Sequence, residues 1–386
     1  MSRRYEIISA DGHLEIPPDA WLRHVPSAYR DLAPRLVRLP EGGEAWIVEG
    51  LPLIHNGQNL AAGRPVKLKG VSYWNPDGNP GPGAGDARQR LREQDEDGID
   101  AEVLYPPVFI GKLIETLSDK AAYLAMVRAY NDFLAEYCAA APDRLIGTAV
   151  MPITGLADAV AELRRCRDLG LHATSLSMFP SGGGAPKPED DRFWESALAL
   201  DMKIAAHVSF GGREKVNPLL LASATANFDL VTAMVSRTIP GPLTLIATMA
   251  AAGVFDRFPP LEIYLAETNA GWMPESFYMM DDSYRLFREW YGVSLAMRPS
   301  EYAARHFYFG IVRDPVALRM RDLLPVERLM WGSDFPHSVT SFPRSREWLA
   351  TIFEGVPGEL RRRLLVENPC RFFGLDADRA ITPTPP

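Results

Sequence analysis

The sequence predicts an α/β protein built as a (β/α)8 TIM barrel. It reads as one domain over residues 1–386, with residues 24–85 inserted as a cap after the first strand. Three observations carry that expectation. Eight short, nearly continuous apolar runs alternate with longer amphipathic stretches, as parallel strands covered on both faces require. Prolines and glycines, 33 and 30 in number, tend to fall just after those runs and mark exits from strand to loop. The rival architecture, an open doubly wound sheet, lacks its signature. No G-x-G-x-x-G opens a helix, and neither Gly81-Pro82-Gly83 nor Gly182-Gly183-Gly184 leads into that fingerprint or a P-loop lysine.

The strands are expected at residues 5–9, 101–105, 145–150, 172–178, 203–208, 261–266, 306–310 and 328–331. The second stops at Pro106-Pro107, the third before Pro152, the fourth before Pro180 and the fifth before Gly211-Gly212. Helices fill most of the gaps, at 86–97, 118–141, 156–169, 190–200, 218–236, 242–255, 274–290, 315–324 and 344–353. Pro142 ends the second, and Gly170 sits where the third needs a left-handed C-terminal residue. Residues 24–79 break the alternation. They read as a hairpin, 35–39 and 44–48 around Glu41-Gly42-Gly43, followed by a loop rich in Pro, Gly and Asn. An insertion after the first strand lies at the C-terminal rim of a barrel, so Trp46, Tyr73 and Trp74 are expected near the mouth. The Pro-rich C-terminal end is expected to fray.

Composition narrows the function classes. Lys and Arg total 41 against 49 Asp and Glu, a net charge of −8, which disfavours a nucleic-acid partner and a polybasic membrane anchor. Hydrophobic residues at 47% and charged residues at 23% match a globular chain. Cys138, Cys166 and Cys370 are isolated, so neither a disulfide framework nor a cysteine zinc knuckle is expected. Asp11 and His13 interrupt the N-terminus too early for a signal peptide, and no run approaches the ~18 apolar residues of a spanning helix. A cytoplasmic location is the expectation.

Polar residues at the C-terminal ends of barrel strands are the catalytic candidates. Four groups qualify: Asp11 and His13 after strand one, His207 after strand five, Glu267 after strand six, and Asp334 with His337 after strand eight. Asp11 and His13 are two apart, so an extended segment points both side chains the same way. His207 follows four apolar residues, and Asp334 precedes Pro336 at a buried rim. Taken singly, each has a structural reading: a hydrogen-bonded core histidine, a turn aspartate, a helix N-cap. Two histidines and two carboxylates converging in a barrel mouth match a divalent site of Zn or Mn type.

The same residues carry a resemblance. Asp11-Gly12-His13 with Ile16-Pro17, the isolated His207, and Trp331-Gly332-Ser333-Asp334-Phe335-Pro336-His337 are similar to blocks of the amidohydrolase-related family of aminocarboxymuconate semialdehyde and γ-resorcylate decarboxylases. Further similar blocks are Phe258-Pro259-Pro260-Leu261-Glu262, the run from Glu267 to Pro274, and the run from Asn368 to Leu375. The resemblance implies a barrel enzyme with one divalent ion, Zn2+ first and Mn2+ second, held by Asp11, His13, His207 and Asp334. Homodimerisation is implied too. An alternative register pairs His13 with Glu15; Pro17-Pro18 suggests that the chain is leaving the strand by then. Glu267 departs from the family, whose decarboxylases commonly have a histidine near the reacting carbon. Two-metal relatives carry a lysine on strand four; residues 172–178 contain none, and His172 stands at the wrong end of the barrel.

Two chemistries fit such a site. Non-oxidative decarboxylation of an aromatic or enolic acid would use Asp334 as proton donor, with Glu267 or His337 assisting. Hydrolysis of an amide, lactone or related bond would use an ion-activated water and either carboxylate as base. A metal-binding barrel without activity is the third reading. Trp74, Trp272, Met273, Phe277 and Tyr278 suit a flat small-molecule substrate, and Phe277, Tyr278 and Met280 fit a buried helix stripe equally well. Arg64, Lys67 and Lys69 could attract its carboxylate.

Overall fold

The computed structural model describes residues 4–40, 42–54, 59–66, 70–107, 110, 114–207, 210 and 241–384. The expected helix at 218–236, Lys67, Lys69, Val208, Gly211-Gly212 and the last two prolines lie outside the described residues. Strands follow the chain as β1 (Ile8–His13), β2 (Arg35–Arg38), β3 (Glu44–Val48), β4 (Leu51–Ile54), β5 (Ala101–Tyr105) and β6 (Leu145–Val150), then β7 (Ala173–Leu176), β8 (Lys203–His207), β9 (Ile263–Ala266), β10 (Phe307–Ile311) and β11 (Leu329–Trp331). Eight of them form one parallel sheet in the order β1-β5-β6-β7-β8-β9-β10-β11. The segment after β11 brings the two ends together. Gly12 bridges Phe335, His13 N–H donates to the Phe335 carbonyl at 2.7 Å, and Asp334 N–H donates to the Asp11 carbonyl at 2.9 Å. The result is a (β/α)8 barrel whose closing contacts are made by the candidate site itself.

Helices lie between the strands where the sequence places them, and caps fix their starts. Asp86 accepts from Gln89 N–H to open Ala87–Asp97, which Gly98 ends at φ 74°. Asp119 opens Lys120–Cys138 by accepting from the amides of Ala121 and Ala122. Leu156–Asp168, Asp191–Ala199, Met273–Tyr291 and Ser345–Ile352 start and stop within about one residue of expectation. The expected helix at 242–255 divides into Gly241–Ala251 and Val254–Arg257 at Gly253, φ 64°. Helix Pro299–His306 and the helical run from Gly358 to Phe373 carry no signal that the periodicity reading used.

Strand β1 differs from expectation in a way that matters. It runs to His13, so Asp11-Gly12 is strand and not turn. Pairing with β5 carries one extra residue between Ser9 and Gly12, a bulge. Gly12 is required there, because a Cβ would come within 2.9 Å of Arg90 Nη2 and 3.1 Å of Glu102 Oε1.

The insertion holds a three-stranded antiparallel sheet, β2-β3-β4, one strand more than the expected hairpin. Trp46 Nε1 donates to the Tyr73 hydroxyl at 2.9 Å, and both side chains are buried, which makes them packing for the insertion itself. Trp74 is half-buried. The insertion leans on the loop after β11, where Ala62 N–H donates to the Pro336 carbonyl at 2.7 Å and Ala62 packs with Phe335 and Phe342.

Candidate metal centre and active site

Strands one, five, six and eight of the expectation are β1, β8, β9 and β11, and their C-terminal ends meet at one place. Asp11 and His13 are buried in β1, His207 ends β8, Glu267 follows β9 and Asp334 is buried after β11. His13 Nε2 stands 3.5 Å from Asp11 Oδ1 and 3.3 Å from Asp334 Oδ1, and His207 Nε2 stands 3.7 Å from the same Asp11 oxygen. Both Asp11 oxygens, both histidine Nε2 atoms and Asp334 Oδ1 are buried and make no hydrogen bond. Polar atoms left unpaired in a protein interior are costly, so a cluster of them facing one another is suited to hold an ion or ordered water. Ligand atoms bonded at about 2.0–2.2 Å around one tetrahedral ion stand about 3.3–3.6 Å apart. The chemistry of the set agrees, with two imidazoles and two carboxylates. These four residues fit a divalent ion.

Other groups orient the set. His13 Nδ1 lies 3.4 Å from the Pro106 carbonyl, a long contact that favours the proton on Nδ1 and leaves Nε2 as a lone pair. Burial, then the neighbouring His337 charge, lower the His13 pKa and keep the ring neutral. His337 stacks on His13 with ring centroids 3.8 Å apart. Its Nδ1 is 3.0 Å from Asp334 Oδ1 and its Nε2 is 3.1 Å from Glu15 Oε1. Burial works against a charge on this ring, but Asp334 and Glu15 outweigh it and raise the His337 pKa well above its ordinary value. At Asp334 burial is likewise overcome, chiefly by His337 and His13, and its carboxyl titrates below the usual range. His207 is raised, because Asp11, Glu267 and Asp334 outweigh its burial. Glu15 thus reaches His337, while Asp11 faces both His13 and His207.

Glu267 holds a different position. Its Oε2 is 3.7 Å from His207 Nε2, and its side chain is 17% exposed against 1% for Asp334. Burial and the nearby Asp334 charge push its pKa up to about 8. Glu267 and Asp334 both adopt left-handed backbone, at φ 58° and 54°. Such conformations are costly away from glycine and cluster at functional sites.

Several expected mouth residues lie elsewhere. Met273 is buried, and Tyr278 is 68% exposed on the outer face of helix Met273–Tyr291. Phe277 and Met280 are partly buried against the core, and Trp272 donates Nε1–H to the Thr268 carbonyl. Arg64 is spent on its own loop, donating to the carbonyls of Leu60 and Ala61. His172 is exposed beside Arg167 at the start of β7, and β7 has no lysine.

The sequence reading missed a buried ion pair beneath the site. Arg90 Nε donates to Glu102 Oε2 at 2.7 Å, Nη1 to the His13 carbonyl at 3.0 Å and Nη2 to the Phe335 carbonyl at 3.2 Å. One guanidinium therefore clasps the β1 ligand segment to the β11 segment. A signal existed. Arg90, Gln94 and Asp97 share the inward face of their helix with Leu91, and Glu102 interrupts an apolar strand.

The amidohydrolase family model matches residues 82–375. The chain belongs to this amidohydrolase family. Among curated relatives of this amidohydrolase is the 2-amino-3-carboxymuconate-6-semialdehyde decarboxylase of Dictyostelium discoideum, 24% identical over 310 residues, covering 76% of this chain and 77% of that one. The γ-resorcylate decarboxylase of Rhodococcus jostii is 26% identical over 285 residues, 67% of this chain and 79% of that one. A solved structure with the same fold is the 5-carboxyvanillate decarboxylase of Novosphingobium aromaticivorans, complexed with manganese and 4-hydroxy-3-methoxy-5-nitrobenzoic acid. It superposes with a TM-score of 0.63 at 17% identity, covering 96% of each chain.

Proposed function

We propose that this amidohydrolase is a metal-dependent carboxy-lyase that removes carbon dioxide, without oxidation, from an aromatic or enolic carboxylic acid. The observation that carries the proposal is the set of unpaired heteroatoms on Asp11, His13, His207 and Asp334, which lie in two ligand-capable groups sharing His13: Asp11 with His13 and His207, and His13 with Asp334 and His337. Its relatives' activities supply the reaction class. Those four residues would hold one divalent ion, Zn2+ or Mn2+. The ion would supply Lewis-acidic charge for the substrate carboxylate and an adjacent oxygen.

The chain's own groups do the rest. His13 is kept neutral as a donor of electron density, and His337 holds Asp334 in place through its Nδ1. Glu267, 17% exposed against 1% for Asp334, is the carboxyl that delivers the proton in this reading. Its O–H bond breaks as a C–H bond forms at the substrate carbon bearing the carboxylate. The C–C bond to that carboxylate then breaks, its electron pair returns to the ring, and carbon dioxide leaves. Glu267 regains a proton from water at its exposed edge. Asp334, the sequence's first candidate for this step, is better placed as a ligand because its oxygen already faces two imidazoles.

The test is carbon dioxide release from hydroxybenzoic and muconic acids by protein reloaded with Zn2+ or Mn2+. Glu267→Gln is expected to fold normally, keep the ion and lose at least ~10² in rate. Near-normal turnover in that variant with the ion still bound refutes the role. Cleavage of amides or lactones without gas refutes the lyase reading in favour of a hydrolase, and bound metal without any turnover refutes both.

A further inference from the structure

Two tyrosine hydroxyls inside the barrel have no described function. Tyr105 pairs in register with His13, and Tyr264 pairs with Ala205, two residues before His207. Register partners in a parallel sheet point to the same face, and so do residues two apart along a strand. Because His13 and His207 point into the barrel mouth, Tyr105 and Tyr264 point into the barrel as well. Tyr105 touches both candidate ligands, with ring centroids 5.8 Å from His13 and 5.4 Å from His207. A Cβ on Gly310 would stand 2.4 Å from the Tyr264 hydroxyl and 3.0 Å from Glu267 N, so that hydroxyl rises toward the Glu267 turn. Both side chains are at most 1% exposed, and neither hydroxyl has a hydrogen-bond partner.

Their chemistry is complementary to a third orphan. Each phenol can donate, and Asp11 Oδ2, which has neither a hydrogen bond nor an ion pair, can only accept. Buried polar groups left without direct partners are ordinarily served by ordered water making about two to four bonds.

Resting on the metal-site reading above, we infer that Tyr105 and Tyr264 are positioning residues that hold Asp11 through buried water on the core side of the site. One Asp11 oxygen then stays aimed at His13 and His207, while the other is satisfied from below. Removing such an outer partner of a ligand ordinarily weakens metal affinity by ~10–100-fold.

The experiment uses the full chain, stripped of metal and titrated with Zn2+ or Co2+ against a chromophoric chelator. Tyr105→Phe and Tyr264→Phe keep the ring shape, and circular dichroism with thermal unfolding of the metal-free protein checks the fold. The expected result is an affinity loss of ~10-fold or more for each variant. Unchanged affinity together with a higher unfolding temperature shows hydroxyls that are merely buried, and overturns the inference. A high-resolution crystal structure of the metal-free protein gives an independent reading: water touching both hydroxyls supports it, and a dry contact overturns it. Neither measurement uses decarboxylation, so a failed lyase assay leaves this result standing. Wild-type protein that binds no ion overturns the site and this inference together.

Discussion

The Arg90–Glu102 pair gives the sharpest test of how the barrel supports its site. Glu102→Gln keeps the shape of the side chain but leaves the Arg90 guanidinium, 1% exposed, without a countercharge. Removing one partner of a buried pair costs about 3–5 kcal/mol, because the other charge stays buried alone. With an unfolding entropy of roughly 2.1 cal/mol/K per residue, a two-state chain of 386 residues loses about 4–6 °C in unfolding temperature. The effect should not stop at stability. Arg90 also donates to the carbonyls of His13, a candidate ligand, and Phe335, which follows the candidate Asp334, so metal affinity falls with it. The double variant Arg90→Met with Glu102→Leu separates the two roles. Replacing a buried pair by apolar groups is often neutral, so stability should recover. Affinity should not, since the carbonyls remain unclasped. Calorimetry and metal titration on the same three proteins decide it. An unfolding temperature within about 1 °C of wild type for Glu102→Gln, or full affinity in the double variant, refutes the reasoning.

Two further outcomes follow from single carboxyls. Burial raises the Asp97 pKa to about 6 despite two hydrogen bonds from Ser345, so the folded state holds that proton more tightly than the unfolded chain. Its contribution is fully present below the unfolded value near 3.8 and is lost as pH rises through about 6, a swing on the order of 3 kcal/mol. Urea unfolding midpoints across that window should fall for wild type relative to Asp97→Asn, and parallel curves would contradict it. Glu267→Gly relieves a left-handed backbone at φ 58° and should raise stability by about 1 kcal/mol while decarboxylation drops by ~10² or more. A less stable Glu267→Gly protein would show that the turn is not strained.

How much of this was legible in the sequence depends on the range of the interaction. Strands and helices were readable because periodicity and stops such as Pro142 and Gly170 act within a few residues. Their sum gave the barrel. The candidate ligand cluster was readable because each member stands at a strand end, where the fold alone puts it at the mouth. What escaped was long-range and polar. The aromatic residues of the insertion pair with each other, Trp46 with Tyr73, and no local pattern distinguishes that from a substrate wall. Arg90 and Glu102 are charged residues that ordinarily lie on the surface, and only the closed barrel reveals that they meet beneath Gly12. Strand β1 was placed early because Asp-Gly reads as a turn, whereas here the glycine admits a guanidinium.

The position of Asp11 and Asp334 joins folding to chemistry. Their backbones hydrogen-bond each other across the seam between β1 and the segment after β11, and a Cβ on Gly332 would stand 2.4 Å from the Asp11 Cβ. The two carboxylates are therefore neighbours because the barrel is closed, although 322 residues separate Glu15 from its partner His337 across the same seam. Two anions held this close repel each other, which opposes closure unless positive charge lies between them. In the metal-free chain His337 supplies part of that charge from the side, between Asp334 and Glu15. A divalent ion bound by residues on both sides of the seam would supply the rest, so its binding free energy would also count toward closing the barrel. The left-handed backbone at Asp334, φ 54°, lies at this same seam, where the binding free energy of such an ion would offset its cost.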